Sequence, residues 1–401
     1  MNFSSLIAGL AAPNDLWIII INWIQGAISN YGWTIILFTL LVKVATTPLD
    51  FMVKLTSKKQ TLIQKKCAPE VAKLKKKFGS DQKRLQVQTN ALYKREGLKQ
   101  GTGCIIMLVN LVLTMVIFFT LYSSLRTVSA YEAVNQYETL QTTYTTEFVN
   151  TLRTETGDAT IVDRASAENW AKRIDKNDND NYDATNYETN LKYYQKATDK
   201  ATSAVAEKWD EIKDSWLWVE NIWVADATTS PFPTYSSLKG ISSNKTIVNY
   251  IETNIVESDY TTIAAIVSTE GSRPHNGYYI LAILVGLSTF ATQLVSELHN
   301  KFKSKKANTL AKLSEQNGGA AMAQPTMKVM KIVLPIIMVI FALTSAASFS
   351  IYLLASSIVS LALGEITSLI VDKMTKKQRL AVEESLEKEA NRLIKKGKIK
   401  G

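Results

Sequence analysis

The feature that most constrains this chain is the separation of its apolar residues from its charged ones. Five stretches, 31–51, 103–125, 278–298, 329–345 and 346–371, are apolar and long enough to cross a bilayer, for which a helix needs roughly 20 mostly apolar residues. Averaged over 401 residues, a composition of 46% hydrophobic and 20% charged residues looks globular and hides this pattern. The pattern predicts an all-α integral membrane protein with five transmembrane helices. It excludes a soluble enzyme, a disordered chain and a collagen-like repeat. Two cysteines, Cys67 and Cys104, both outside the long polar middle, exclude a disulfide framework.

Charge divides along the same boundaries. Residues 52–102 carry 14 basic and 3 acidic side chains, residues 298–331 carry 7 and 1, and residues 372–401 carry 10 and 5. Residues 125–277 reverse the balance with 14 basic and 23 acidic, and the first 30 residues have no Lys or Arg. Short Lys- and Arg-rich loops stay cytoplasmic. The expected topology therefore has the amino terminus (1–30) outside and a basic helical hairpin (52–102) inside. A large acidic region (126–277) lies outside, and a loop (299–328) and a basic tail (372–401) lie inside. The location implied is a plasma membrane, crossed several times.

The opening residues lack the basic n-region of a cleavable signal peptide. The run DLWIIIINWIQGAI, from Asp15, is too short to span and predicts an interfacial helix with Trp17 and Trp23 at headgroup level. In the hairpin, Gly79 and Ser80 separate two basic helices, and Pro69 predicts a turn or kink in the first. Its exposed cations, Lys65, Lys66, Lys73, Lys76, Lys83 and Arg84, read either as a lipid-facing surface or as a dock for a nascent chain or partner.

Lys43 is the most informative single residue, about 18 Å along the first span from Tyr31. A central lysine costs roughly 2.5–3.5 kcal/mol to insert, so such residues face a wet cavity or a partner, unless they snorkel to the headgroups. Thr39, Thr46, Thr47 and Asp50 recur near it at helical spacing, giving one polar stripe. The second span adds Asn110 and Thr114. The third adds Ser288, Thr289, Thr292, Gln293 and Ser296, and the fifth adds Ser356 and Ser357. The hydroxyls are equally explained as hydrogen-bond glue between helices; the amides are harder to dismiss.

Several motifs in order carry a family resemblance. NYGWTIILFTLLVKVATTPLDFMVKLTSKK, the hairpin pieces APE, KKFG and LYKREG, the opening GTGC of the second span, ILAILVGLSTFATQ and KVMKIVLPIIMVIFAL resemble the YidC family of membrane protein insertases. So does WLWVENIWVAD, the stretch that precedes the third span. The resemblance covers roughly residues 15–126 and 278–371 and looks like the five-span, Gram-positive-like form with an enlarged outer loop. It implies a bacterial insertase and chaperone, not an enzyme. In that family a groove open to the cytoplasm and to lipid is lined by a basic residue and two amides, here Lys43, Asn110 and Gln293. The groove would include Thr47, Thr114, Thr292 and Ser356. Nascent membrane proteins would be its clients, with the Sec translocon and signal-recognition machinery as partners; membrane lipids and, through the basic tail, the ribosome are the further partners expected.

Three positions depart from the family pattern. Lysine replaces the usual arginine at 43, losing the bidentate fork while keeping the charge. Asn110 stands for a longer glutamine, and Leu353 follows Tyr352 where the family often has tryptophan.

The region 127–276 is much longer than the equivalent connection in the family. Helical periodicity is expected over 189–223, with Trp216, Trp218 and Trp223 as interfacial anchors near the return to the membrane. DKNDNDNYDATNYE places Asn177, Asn179, Asn181 and Glu188 at calcium-loop spacing, but Tyr182 stands where glycine is needed; a solvated linker explains it more simply.

No nucleophile elbow, Walker loop or metal cluster appears, and His275 and His299 lie at opposite ends of the third span, so no cofactor is implied. The basic tail after Lys373 could bind ribosomal RNA, lipid or nothing. The rival readings are a small-solute transporter or channel, disfavoured by the lack of internal repeats, and a scaffold whose outer region binds a partner.

Overall fold

The computed structural model describes residues 10, 13–97, 100–178, 180–242, 244–269, 275–305 and 324–395. Their regular secondary structure is helical, joined by turns and irregular segments such as 157–163 and 213–234, with one isolated β-bridge, Trp216 to Val219. In chain order the helices are α1 Leu16–Gln25, α2 Tyr31–Phe78, α3 Gln82–Arg95, α4 Gln100–Thr156, α5 Arg164–Ala171, a 3-10 turn Lys172–Ile174, α6 Tyr187–Ile212, α7 Tyr235–Ile241, α8 Lys245–Asn254, α9 Glu257–Thr269, α10 Ile280–Lys305, α11 Gln324–Thr344 and α12 Ala347–Lys395. The protein is an all-α membrane protein. Three helical stretches, Tyr31–Phe78, Ile105–Thr156 and Ala347–Lys388, are long and apolar enough to cross a membrane; Ile280–Val295 and Val333–Thr344 are shorter apolar stretches.

Helix ends depart from the expected boundaries. The first span and the first arm of the hairpin are one helix, and Pro69 does not break it. Proline removes one backbone donor and crowds the preceding turn. Here ion pairs brace both sides of it: Lys66 to Glu96 at 2.6 Å and Glu70 to Arg95 at 3.0 Å. Likewise α4 runs on past residue 125 to Thr156, and α12 carries the fifth span into the tail without interruption. α1 begins where expected, with the Asp15 carboxylate accepting from the Trp17 and Ile18 amides at 3.0 and 3.2 Å.

The chain forms two compact units. One comprises residues up to Phe38, Leu121–Ile283 and Ile340–Tyr352; the other comprises Thr39–Thr120, Leu284–Val339 and the chain from Leu353. The first unit contains most of the long polar region, which folds around its own apolar core. Trp209 is fully buried with its ring 5.6 Å from Phe232, which lies 5.5 Å from Tyr260. The Tyr260 hydroxyl donates to the Pro233 carbonyl at 2.8 Å. Burying one such ring contributes about 2–3 kcal/mol. α6 ends at Ile212, short of the predicted 223.

Two of the three expected tryptophan anchors, Trp216 and Trp223, are corrected here, while Trp218 is half-buried. Trp216 is 5% exposed and Trp223 is fully buried; the Trp223 indole donates to the Asp214 carboxylate at 2.6 Å. Asn221 and Asn276 fix this segment. The Asn276 amide donates to the carbonyls of Asn221, Val224 and Ala225, and its oxygen accepts from the Asn221 backbone at 2.8 Å. The carboxylate of Asp226 then accepts from the Leu281 amide at 3.1 Å, at the start of α10. In the Asn-rich run, Asp175, Asp178 and Asp183 each accept from the backbone and amide of a nearby asparagine, Asn177, Asn181 and Asn186. These are Asx turns; Asn179 lies outside the described residues.

Candidate functional site

All seven residues expected to line a groove fall in the second unit. Lys43 is half-buried on α2, and among the described residues its ammonium has no hydrogen-bond or ion-pair partner. Its own backbone carbonyl is well used: the Thr47 hydroxyl donates to it at 2.7 Å and the Thr46 hydroxyl at 3.1 Å. Thr114 and Thr292 bond back in the same way, to Asn110 and Ser288, both at 2.8 Å. Each of these hydroxyls has spent its proton on its own helix and offers lone pairs only. Such a stripe can accept from a cation or amide and cannot donate without breaking its local bond.

The amides divide. Asn110 donates to the Asp50 carboxylate at 3.3 Å, joining α4 to α2. Gln293 on α10 is half-buried, and its side-chain oxygen is buried without a partner among the described residues. An orphaned buried acceptor costs about 1–3 kcal/mol. Ser356 is half-buried, and its neighbour Ser357 lies 3.5 Å from the Thr289 hydroxyl. No hydrogen bond among the described residues joins Lys43, Asn110 and Gln293 to one another.

Sequence reasoning missed the best-satisfied cation of this unit. The Lys54 ammonium donates to the Gly364 carbonyl at 2.6 Å, to Thr367 Oγ1 at 2.9 Å and to Ser368 Oγ at 3.4 Å. One turn along, Lys58 pairs with Asp372 at 3.0 Å. Thr367 and Ser368 both donate to the Gly364 carbonyl, which turns their lone pairs to the lysine. The signal was a glycine with hydroxyls three and four residues on, but nothing in the sequence names a partner 310 residues away.

In the hairpin, Lys65, Lys66, Lys73, Lys76, Lys83 and Arg84 are all exposed. Lys66 is tied to Glu96, and Arg84 lies 3.2 Å from Asp81. The Lys66 hydrogen bond holds the Glu96 carboxyl below the usual carboxylate range. Cys67 is buried, as are Leu62 and Leu92, and burial pushes its thiol pKa up. It is a packing residue.

Residues 23–160 match the family described as 60Kd inner membrane protein. Among curated proteins, the membrane protein insertase YidC of Anaeromyxobacter sp. (strain Fw109-5) is 35% identical over 114 residues, 28% of this chain and 19% of that protein. The insertase of the same name from Marinobacter nauticus is 32% identical over 107 residues, and that from Chlorobium limicola is 31% identical over 107; each match covers 27% of this chain and 18% of the relative. The chain thus spans about a fifth of the length of the curated relatives it matches. No solved structure matches. Over residues 23–160, the resemblance to the YidC family of membrane protein insertases that the motifs implied is shown.

Proposed function

We propose that the protein is a membrane protein insertase and chaperone. It moves short polar segments of nascent membrane proteins across the bilayer along a hydrophilic, positively charged groove lined by Lys43, Thr47, Asn110, Thr114, Thr292, Gln293 and Ser356. The observation that carries this reading is Lys43: an ammonium on an apolar helix with no hydrogen-bond or ion-pair partner among the described residues, near hydroxyls whose protons are spent on its own backbone carbonyl. Charge at such a depth is retained for a partner. An acidic client tail meets that cation and crosses only part of the hydrocarbon. Burial of the client's own apolar helix drives the step at ~25 cal/mol per Å². A membrane potential adds ~2.3 kcal/mol per charge per 100 mV. Neither nucleotide nor metal enters this scheme.

The proposed topology has five spans, with the amino terminus outside and the carboxyl terminus in the cytoplasm of a bacterium. The basic hairpin and tail are proposed to meet signal-recognition machinery, the Sec translocon or the ribosome. The test is insertion into reconstituted vesicles: Lys43→Ala should impair acidic-tailed clients and Lys43→Arg should preserve them. Equal insertion by the alanine variant would overturn the role of the charge. Crosslinking from position 43 separates an insertase, which captures nascent membrane proteins, from a transporter, which captures none.

A further inference from the structure

The segment between α6 and the Asn221 knot contains one residue that the protein itself does not explain. Trp216 and Val219 exchange two backbone hydrogen bonds, each 2.9 Å, and so close a two-residue turn. Leu217, its first central residue, has φ 52, while Trp218 is not in the positive region. This is the sign pattern of a II′ turn, whose first position favours glycine because a side chain there is strained. Leu217 nevertheless carries its isobutyl group, 63% exposed.

The turn is held against the start of the first span, within the same unit. The Asn30 amide donates to the Ser215 carbonyl at 2.9 Å. Gly32 makes room for the indole, since a Cβ there would lie 2.2 Å from Trp216 Cδ1. The Trp216 ring lies 5.8 Å from Trp33 and 5.8 Å from Trp218. Trp33, on the first turn of α2, is itself 50% exposed. The Leu217 tip therefore stands beside the first turn of a helix whose next residues are apolar and of spanning length. The charges flanking this turn are used internally: Lys213 pairs with Asp210 at 2.6 Å and Glu220 at 2.7 Å, and Asp214 accepts from Trp223.

We infer that the Leu217–Trp218 turn is a lipid-inserted wedge, which seats this unit in the leaflet containing the start of α2. The exposed face of Trp33 continues onto the tip, and an exposed aliphatic side chain beside an exposed aromatic ring suits the boundary between headgroups and acyl chains. Because no cation among the described residues stands free at the tip, the wedge takes any glycerophospholipid and does not depend on anionic headgroups. The inference goes beyond the insertase reading and needs only a membrane-spanning α2.

The test uses the full chain with Cys67→Ala and Cys104→Ala, reconstituted in phosphatidylcholine vesicles and labelled at Leu217→Cys with an environment-sensitive fluorophore. A second single cysteine, Val162→Cys, serves as control, since Val162 is exposed to a similar degree in the same unit. The expected result is quenching at 217 by brominated acyl chains, with shielding from aqueous iodide. Added phosphatidylglycerol or salt should leave both unchanged, and the control should respond to iodide alone. Iodide quenching at 217 would overturn the wedge. So would shielding from iodide without any response to brominated lipid, because a protein surface would then cover the tip. No client is present in this assay, so loss of insertion activity and loss of lipid contact are read separately.

Discussion

Lys54 lies 2.6 Å from the carbonyl of Gly364, in a socket completed by two hydroxyls of the same helix. Hydrogen bonds to a charged group contribute about 1.5–3 kcal/mol net. Lys54→Met should therefore lower thermal stability in detergent by about 2–3 kcal/mol. Lys58→Ala, which removes a partly exposed ion pair to Asp372, should cost no more than about 1 kcal/mol. Thermal unfolding of the two variants side by side checks this; equal losses would show that the socket adds nothing beyond a surface pair.

Acidic groups in the first unit make its stability depend on pH. Burial, then the neighbouring Asp214 carboxylate, pushes Glu132 up to about 7; burial pushes Asp226 up to about 6. Both groups hold a proton in the folded chain at pH values where the unfolded chain has released it. Stability from this source is present at mildly acidic pH and is lost as pH rises through 6 to 7. Thermal unfolding between pH 5 and pH 8 should show a higher midpoint at the acidic end. Glu132→Gln should flatten the profile and raise the midpoint at the alkaline end.

Asn276→Ala removes an amide that serves three carbonyls and an oxygen that holds the Asn221 backbone. Each orphaned buried group costs about 1–3 kcal/mol, so the total loss should be at least about 3 kcal/mol. Protease cleavage within residues 214–230, absent from the parent protein, is the expected signature.

At Gly32, an added methyl would overlap the Trp216 ring. Overpacking of this kind costs about 1–3 kcal/mol. Gly32→Ala should move the indole and change the near-ultraviolet circular dichroism, while far-ultraviolet helicity stays the same. An unchanged near-ultraviolet spectrum would mean that the turn is not seated as described.

The apolar stretches, the start of α1, the hairpin turn at 79–81 and the break between α11 and α12 were all readable, because composition and capping residues mark them. The continuity of α2, α4 and α12 was not. At each place where they leave the apolar segment, the sequence turns polar without a residue that must stop a helix, so hydropathy ends while the helix does not. At the candidate site, the polar stripe was legible from 3.6-residue spacing. The pairing of Asn110 with Asp50, and of Lys54 with Gly364, depends on how distant helices approach. Trp216 and Trp223 misled because an indole suits a membrane interface and a protein core equally well.

The knot at Asn276 has a bearing on how this chain came to be long. Its bonds go to backbone carbonyls, and the Glu220 amide donates to the Asn276 carbonyl while the Asn276 amide donates to that of Thr228. A tie made to main chain is indifferent to the side chains around it. Side chains between 229 and 275 therefore do not decide where the segment entering α10 sits, and that excursion is free to vary as far as its own core, with Phe232 and Tyr260, allows.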